Sequence, residues 1–395
     1  MRASHGVEVA DIFRKHSPDY MESHKLPRNQ LRAMRAVETC RTKELGGHVD
    51  ECDSCGHLEI SYNSCRNRHC PKCQTWRKEK WIQDRAADLL PIQYFHVVFT
   101  IPAELNPLVQ RNQKVMYNIL FRSVSETLIE LGNDPKWLGA RIGFISILHT
   151  WGQNLMDHPH IHCVVTGGGL SPEEDKWISC RNGFFIPVRV MSELFKGKFL
   201  DYLKDAYDKL AFPGVIGHLE NPHTFESFRR QFYHKKWVVY SKPPFNGAPG
   251  VLQYLGRYTH RIAISNERIL KLEDGKVSFR WRDYADGDKT KIMDLAADEF
   301  IRRFLLHVLP DRFVKIRHFG LLANKRRKYS IGLCRLLLDL GESEMKARPK
   351  ETWQEWLLRV MGIDVSVCPV CKKGRMITVE ILDPSCNGPP RECRI

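Results

Sequence analysis

Residues 141–170, RIGFISILHTWGQNLMDHPHIHCVVTGGGL, restrict the fold more than any other stretch of the chain. Residues 142–153 are apolar and β-branched, residues 154–159 supply turn formers, and residues 161–166 form a second β-rich run closed by Gly167, Gly168 and Gly169. Two such runs about a polar turn predict a β-hairpin. In the second run His160 and His162 flank Ile161. Side chains alternate along a strand, so the two imidazoles share one face and Ile161 turns the other way, into a core. Paired neutral imidazoles on a rigid strand are a platform for a divalent ion. A pair of hydrogen-bonded surface histidines is the plainer alternative. The glycines, read as open backbone beside the pair, favour the metal.

The rest of the chain has to supply a purpose for such a platform. A formal net charge of +15 over 395 residues calls for a polyanionic partner, nucleic acid before a membrane surface. No apolar run reaches the roughly 18 residues needed to span a bilayer, and the N-terminus reads as no secretory leader, so a cytoplasmic, nucleoid-associated protein is expected. In that reducing setting the 13 cysteines read as metal ligands rather than disulfides. The length predicts three parts: a helical lead-in and zinc module over 1–90, a catalytic domain over 91–330 and a C-terminal helical segment over 331–395.

Residues 40–73 hold two CxxC knuckles, Cys52/Cys55 and Cys70/Cys73, spaced like a zinc ribbon. Each knuckle presents two thiolates to one ion. Cys40, His48, Cys65 and His69 interleave with them and suggest a second zinc, with His57 able to replace one histidine. An ordinary buried thiol is the alternative for any one cysteine. Cys368 and Cys371 form a further knuckle, which Cys386 and Cys393 could complete. Cations follow the first module: Arg66, Arg68, Lys72, Arg77, Lys78 and Lys80, with Trp76 and Trp81 among them. Cations for phosphates and rings for bases suit nucleic acid, although a solvated helix face has the same look. Lys325, Arg326 and Arg327 form a smaller cluster of the same kind.

Residues 94–102 read as a central strand and 107–131 as a helix, with another helix at 192–211 and a strand at 237–240. From Gly250 a further helix is expected, carrying Tyr254 and Tyr258 four apart and therefore on one face, flanked by Arg257 and Arg261. Strands at 262–265, 269–272, 277–281, 292–295 and 313–319, with a helix at 297–308, complete an α+β, palm-like antiparallel sheet with flanking helices. A tyrosine pair at this spacing is ordinarily packing.

Taken together, the zinc module, FHVVFTIP, WGQNLMDHPHIHCVVTGGG, YLGRYTHRIAISN and KIRHFGLLAN resemble the two-tyrosine rolling-circle insertion-sequence transposases, members of the His–hydrophobe–His single-strand endonuclease superfamily. The resemblance runs over nearly the whole chain. It implies nicking and rejoining of single-stranded or hairpin DNA at the element's ends through a 5′-phosphotyrosine. Tyr254 and Tyr258 would be the nucleophiles, and Mg²⁺ or Mn²⁺ would sit on His160 and His162; this donor set would also accept Zn²⁺. For a third ligand Gln153 is expected, with His158 and His260 as competitors. Two other readings stay open: a non-catalytic zinc-finger DNA-binding regulator, and a hydrolase that activates water on the histidine pair.

Overall fold

The computed structural model describes residues 6–86, 88–181, 183, 185–242, 250–251, 263–284, 286–340 and 351–385. Tyr254, Arg257, Tyr258, His260, Arg261, Cys386 and Cys393 lie outside them. The chain is α+β, and among the described residues all paired strands are antiparallel. In chain order they are β1 Gly47–Cys52, β2 Leu58–Tyr62, β3 Tyr94–Thr100, β4 Arg141–Trp151, β5 Asp157–Leu170 and β6 Trp177–Ser179. There follow β7 Val238–Lys242, β8 Ile269–Glu273, β9 Lys276–Asp283, β10 Lys289–Ala296, β11 Ile316–Gly320 and β12 Met376–Leu382. No helix among the described residues is long and apolar enough to cross a membrane.

The chain divides into two compact units that do not follow the three consecutive segments expected from sequence. One gathers Met1–Lys80, His260–Val308 and Lys346–Ile395, the other Trp81–Thr259 and Leu309–Met345. The second unit is built on a sheet ordered β11-β4-β5-β3-β7, with β6 beside β5. Its central strands are buried on both faces, which is why they read as nearly unbroken apolar runs. Phe95, Val97, Phe99, Phe144, Ile161 and Val165 line one face and join the core formed with the helices Gln113–Asn133 and Val188–Asp205. Tyr94, Ile145, Ile147 and Val164 line the other, in a cluster that includes Val251, Leu321 and Ile331.

The expected hairpin is β4–β5, but it turns earlier, over residues 152–156, so that His158 and Pro159 already belong to β5. The turn is anchored by Leu155, fully buried at φ 62°. The three glycines extend β5 rather than close it, and they are not open backbone. A Cβ on Gly169 would stand 2.4 Å from the Arg141 carbonyl oxygen, and one on Gly168 would stand 2.6 Å from that of Ile178 on β6. Their bareness lets neighbouring backbone approach.

The strands expected over 269–295 do not join this sheet. They form their own, β10-β9-β8, in the first unit. β10 runs straight into the helix Ala297–Leu306, whose Phe300 meets Phe279 and whose Phe304 meets Phe13 edge-on at 5.2 Å. Burying that helix carries the sheet to the N-terminal helices. Residues 263–265, expected as strand, are buried at Ala263 and Ile264 but unpaired in any ladder. A third sheet, β12-β1-β2, has the Cys52/Cys55 knuckle at the end of β1 and the Cys368/Cys371 knuckle just before β12.

Candidate metal centres and their geometry

Register decides what faces His160 and His162. Across β4 they stand opposite His149 and Ile147; across β3, opposite Thr100 and Val98. Directly paired residues share a face, so His149 joins the pair. One ring nitrogen from each of His149, His160 and His162 lies within 4.8 Å of the others, and all three side chains are buried. The expected third ligand, Gln153, lies half-buried in the 152–156 turn, and His149 offers a third nitrogen beside the pair. His149 was readable only with the pairing in hand, since it lies eleven residues before His160 in a run otherwise read as core. His158 contributes its carbonyl, which accepts from His160 Nδ1, and not a ring nitrogen to the cluster.

Behind the trio lies a fourth histidine. His96 on β3 places Nε2 2.9 Å from His162 Nδ1, with the rings stacked at 9°. Burial, helped by Lys242 and His160, pushes its pKa down to about 3, so it stays neutral and can either donate or accept. The orientation of His160 and His162 is fixed by these contacts, the carbonyl behind one ring and His96 behind the other. Their Nε2 atoms then converge at 2.9 Å. This face of the sheet also carries Val251, fully buried and three residues before Tyr254 in the sequence.

The cysteines group differently from the sequence expectation. Cys40, Cys65, Cys70 and Cys73 form one cluster, and Cys52 and Cys55 meet Cys368 and Cys371 in another, with sulfurs in each within 4.8 Å. The reason is the β1–β2 hairpin. Cys52 and Cys55 turn its tip, whereas Cys40 and Cys65 lie at its base, where Arg41 N–H donates to Asn63 O. The six residues of β1 separate tip from base by about 17 Å, so the two knuckles cannot share one ion. His48 pairs with Asp50 at 3.3 Å, His69 takes a hydrogen bond from Arg68, and the His57 backbone meets the hairpin at Cys52 N–H and the Cys55 thiol. The expected His48 and His69 ligands are therefore replaced by cysteines.

In the first cluster Sγ separations are 3.5 Å for Cys40–Cys73 and 3.6 Å for Cys65–Cys73. These are far beyond a disulfide and close to the edge of about 3.8 Å in a tetrahedron with Zn–S near 2.3 Å. Hydrogen bonds among the four thiols lower Cys73 while raising Cys65 and Cys70, as expected of groups packed closely enough to share one ion.

Of the expected DNA contacts, Arg66, Arg77, Lys80 and Lys325 are exposed. Lys72 pairs with Glu8 at 2.5 Å, Lys78 with Glu79 at 3.3 Å and Arg326 with Glu174 at 3.5 Å. Arg327 pairs with Asp88 at 3.2 Å and is mostly buried, which makes it part of the fold. Trp81 packs near His318 and is not a bare stacking face, while the Trp76 side chain is outside the described residues.

This combination is that of a DNA-processing protein with zinc-stabilised parts, and comparison with known proteins narrows it. Residues 143–329 match a family described as "Putative transposase", and residues 12–101 match one described as "Transposase zinc-binding domain". The chain is 49% identical over 395 residues to "Putative transposase y4qJ" of Sinorhizobium fredii (strain NBRC 101917 / NGR234), covering 98% of each. It is 29% identical over 314 residues to "Transposase for insertion sequence element IS801" of Pseudomonas savastanoi pv. phaseolicola, covering 77% of this chain and 74% of that one. No solved structure matches. The chain belongs to the two-tyrosine insertion-sequence transposases of the His–hydrophobe–His superfamily, with an N-terminal transposase zinc-binding domain.

Proposed function

We propose that this transposase nicks and rejoins single-stranded DNA at its element's ends through a 5′-phosphotyrosine, with Tyr254 and Tyr258 as nucleophiles and His149, His160 and His162 as the metal platform. The observation that carries the reading is the trio of imidazole nitrogens within 4.8 Å, on the sheet face that buries Val251, three residues before Tyr254 in the sequence. An all-nitrogen set suits Mn²⁺ better than Mg²⁺ and would also take Zn²⁺. When bound, such an ion polarises the scissile phosphate and stabilises the charge on the departing 3′-oxygen.

The chain's own groups do the rest. A tyrosine hydroxyl, with pKa near 10, is a weak nucleophile until held against a polarised phosphate. Its oxygen bonds to phosphorus as the P–O3′ bond breaks. The phenolic proton leaves to solvent or a nearby base, and the 3′-oxygen takes up a proton to become a free hydroxyl. The phosphodiester energy stays in the tyrosyl ester, so attack by a 3′-hydroxyl rejoins the strand without another energy source. Two tyrosines four residues apart in the sequence permit two such links or a hand-over between them. His160 is held by the His158 carbonyl with Nδ1–H inward, leaving Nε2 for the ion. His162 presents Nε2 once its Nδ1–H donates to neutral His96.

The test is a labelled single-stranded DNA carrying an element end, incubated with protein and Mn²⁺ and then denatured in detergent. An adduct on the 5′ side of the break is expected. A break with no adduct would mean a water-activating hydrolase, and no break a DNA-binding regulator.

A further inference from the structure

The matched zinc-binding domain ends at residue 101, yet one cysteine cluster draws half its sulfurs from far beyond it. Cys52 Sγ stands 3.7 Å from Cys371 Sγ, and Cys55 Sγ 3.7 Å from Cys368 Sγ, across more than 300 residues of sequence. These separations again match a zinc tetrahedron's edge of about 3.8 Å and exclude direct S–S bonds. Each half is shaped as a knuckle. Ser54 N–H points at Cys52 Sγ and Val370 N–H at Cys368 Sγ, both at 3.4 Å, while Gly374 N–H reaches Cys371 Sγ at 3.3 Å. Such N–H groups neutralise thiolate charge. Gly374 is the point of closest approach, because a Cβ there would lie 2.4 Å from Cys52 Sγ. The two halves are then laced together: Arg375 N–H donates to Asp53 Oδ1 at 2.8 Å, and Asp53 N–H returns to Arg375 O at 3.0 Å.

The sheet around the knuckles has little else to hold it. β12 pairs with β1 over Gly47–Leu382 to Cys52–Met376, with a bulge between Val49 and Asp50. Every residue of β2 is exposed, as is most of β12, including Ile60 at 52% and Val379 at 55%. A three-stranded sheet with no buried face lacks the apolar burial that ordinarily stabilises one. A bound ion supplies folding free energy directly.

We infer that Cys52, Cys55, Cys368 and Cys371 form a second structural zinc site that clasps the C-terminal strand onto the N-terminal hairpin. The ion closes the chain on itself, and the zinc-binding domain is complete only when its C-terminal knuckle is present. This inference does not rest on the nuclease reading.

The experiment is native mass spectrometry of the full-length chain, washed with a mild chelator that empties histidine sites, together with limited proteolysis. The wild-type chain is expected to hold two zinc ions. The Cys368→Ser/Cys371→Ser variant should hold one and be cut readily between residues 351 and 385. Cys386→Ser/Cys393→Ser should keep both, and Cys371→His should keep both as well, because imidazole can replace a thiolate. Should the double serine variant fail to fold, cobalt titration of the wild-type chain decides the matter. Two equivalents bound with thiolate charge-transfer bands support the clasp, and one equivalent overturns it. A Cys368→Ser/Cys371→Ser variant that retains both ions, or a wild-type mass two hydrogens lower with one zinc, would also overturn it.

Discussion

The histidine cluster and the cysteine clusters are two ways of building a metal centre, and they divide the labour between chain and ion in opposite proportions. His149, His160 and His162 sit on adjacent strands of a sheet buried on both faces. Apolar packing places their nitrogens, so the sheet needs no ion to form. The cysteines sit on turns around a nearly coreless sheet, and the ion does what packing does elsewhere. Removing metal from the first should cost chemistry with little loss of fold. Removing it from the second should cost fold first.

Substitutions at the histidines break that comparison most sharply. His160→Ala, His162→Ala and His149→Ala should each lower nicking by about 10³-fold or more, since a phosphate-polarising ion contributes several kcal/mol. Single-strand binding, measured by fluorescence anisotropy, should change little because it rests on cations and rings. Gln153→Ala should fall within about tenfold of the parent. A reversal of the His149 and Gln153 results would restore glutamine as the third ligand.

At the other centre, Cys73→Ser or Cys65→Ser should remove zinc from the first cysteine cluster and expose the N-terminal module to protease, with a loss of about 3 kcal/mol or more in stability. The second unit's melting, followed by its own tryptophan signal, should be nearly unaffected. Elemental analysis showing less than one zinc in the wild-type chain would count against the module altogether.

Finer tests probe what supports each site. His96→Ala should weaken Mn²⁺ binding by about 10–100-fold, measured calorimetrically, because it removes the group that orients His162. The smallest effect concerns His318 on β11, which faces Trp81, Arg85 and Arg327, with Nε2 unbonded. Burial, reinforced by the two guanidiniums, pushes its pKa down to about 4. Between pH 4 and the unfolded value near 6.5 the unfolded chain binds the extra proton, so stability should be fully present above 6.5 and fall as pH drops toward 4. His318→Phe should flatten that slope in thermal melts across this pH window.

Much of the second unit was legible because its information is local. A continuous apolar run, a turn and an alternating pair of histidines sit within 30 residues, and period-two geometry alone puts His160 and His162 on one face. His149 and His96 were missed because their membership depends on register across β4 and β3, which composition does not encode. The cysteine pairings were missed for a plainer reason. Spacing identified the knuckles, but nearness in sequence suggested Cys52/Cys55 with Cys70/Cys73, whereas β1 holds them apart and brings residues from position 368 onward instead. The strands β8–β10 were legible as strands and not as members of a separate sheet, since only the packing of Phe300 and Phe304 decides where they go.

That the hydroxyls of Tyr254 and Tyr258 carry the DNA strand is the central claim, and it is tested most directly by mapping the covalent link. After reaction with an element-end oligonucleotide and Mn²⁺, the denatured adduct is digested and the nucleotide-bearing peptide sequenced by mass spectrometry. Tyr254→Phe, Tyr258→Phe and the double variant are treated alongside the wild type. The account predicts a phosphonucleotide on Tyr254 or Tyr258, adduct surviving in at least one single variant, and none in the double variant, which loses only two hydroxyls. An adduct of wild-type yield in the double variant, or a link mapped to any other residue, would contradict it.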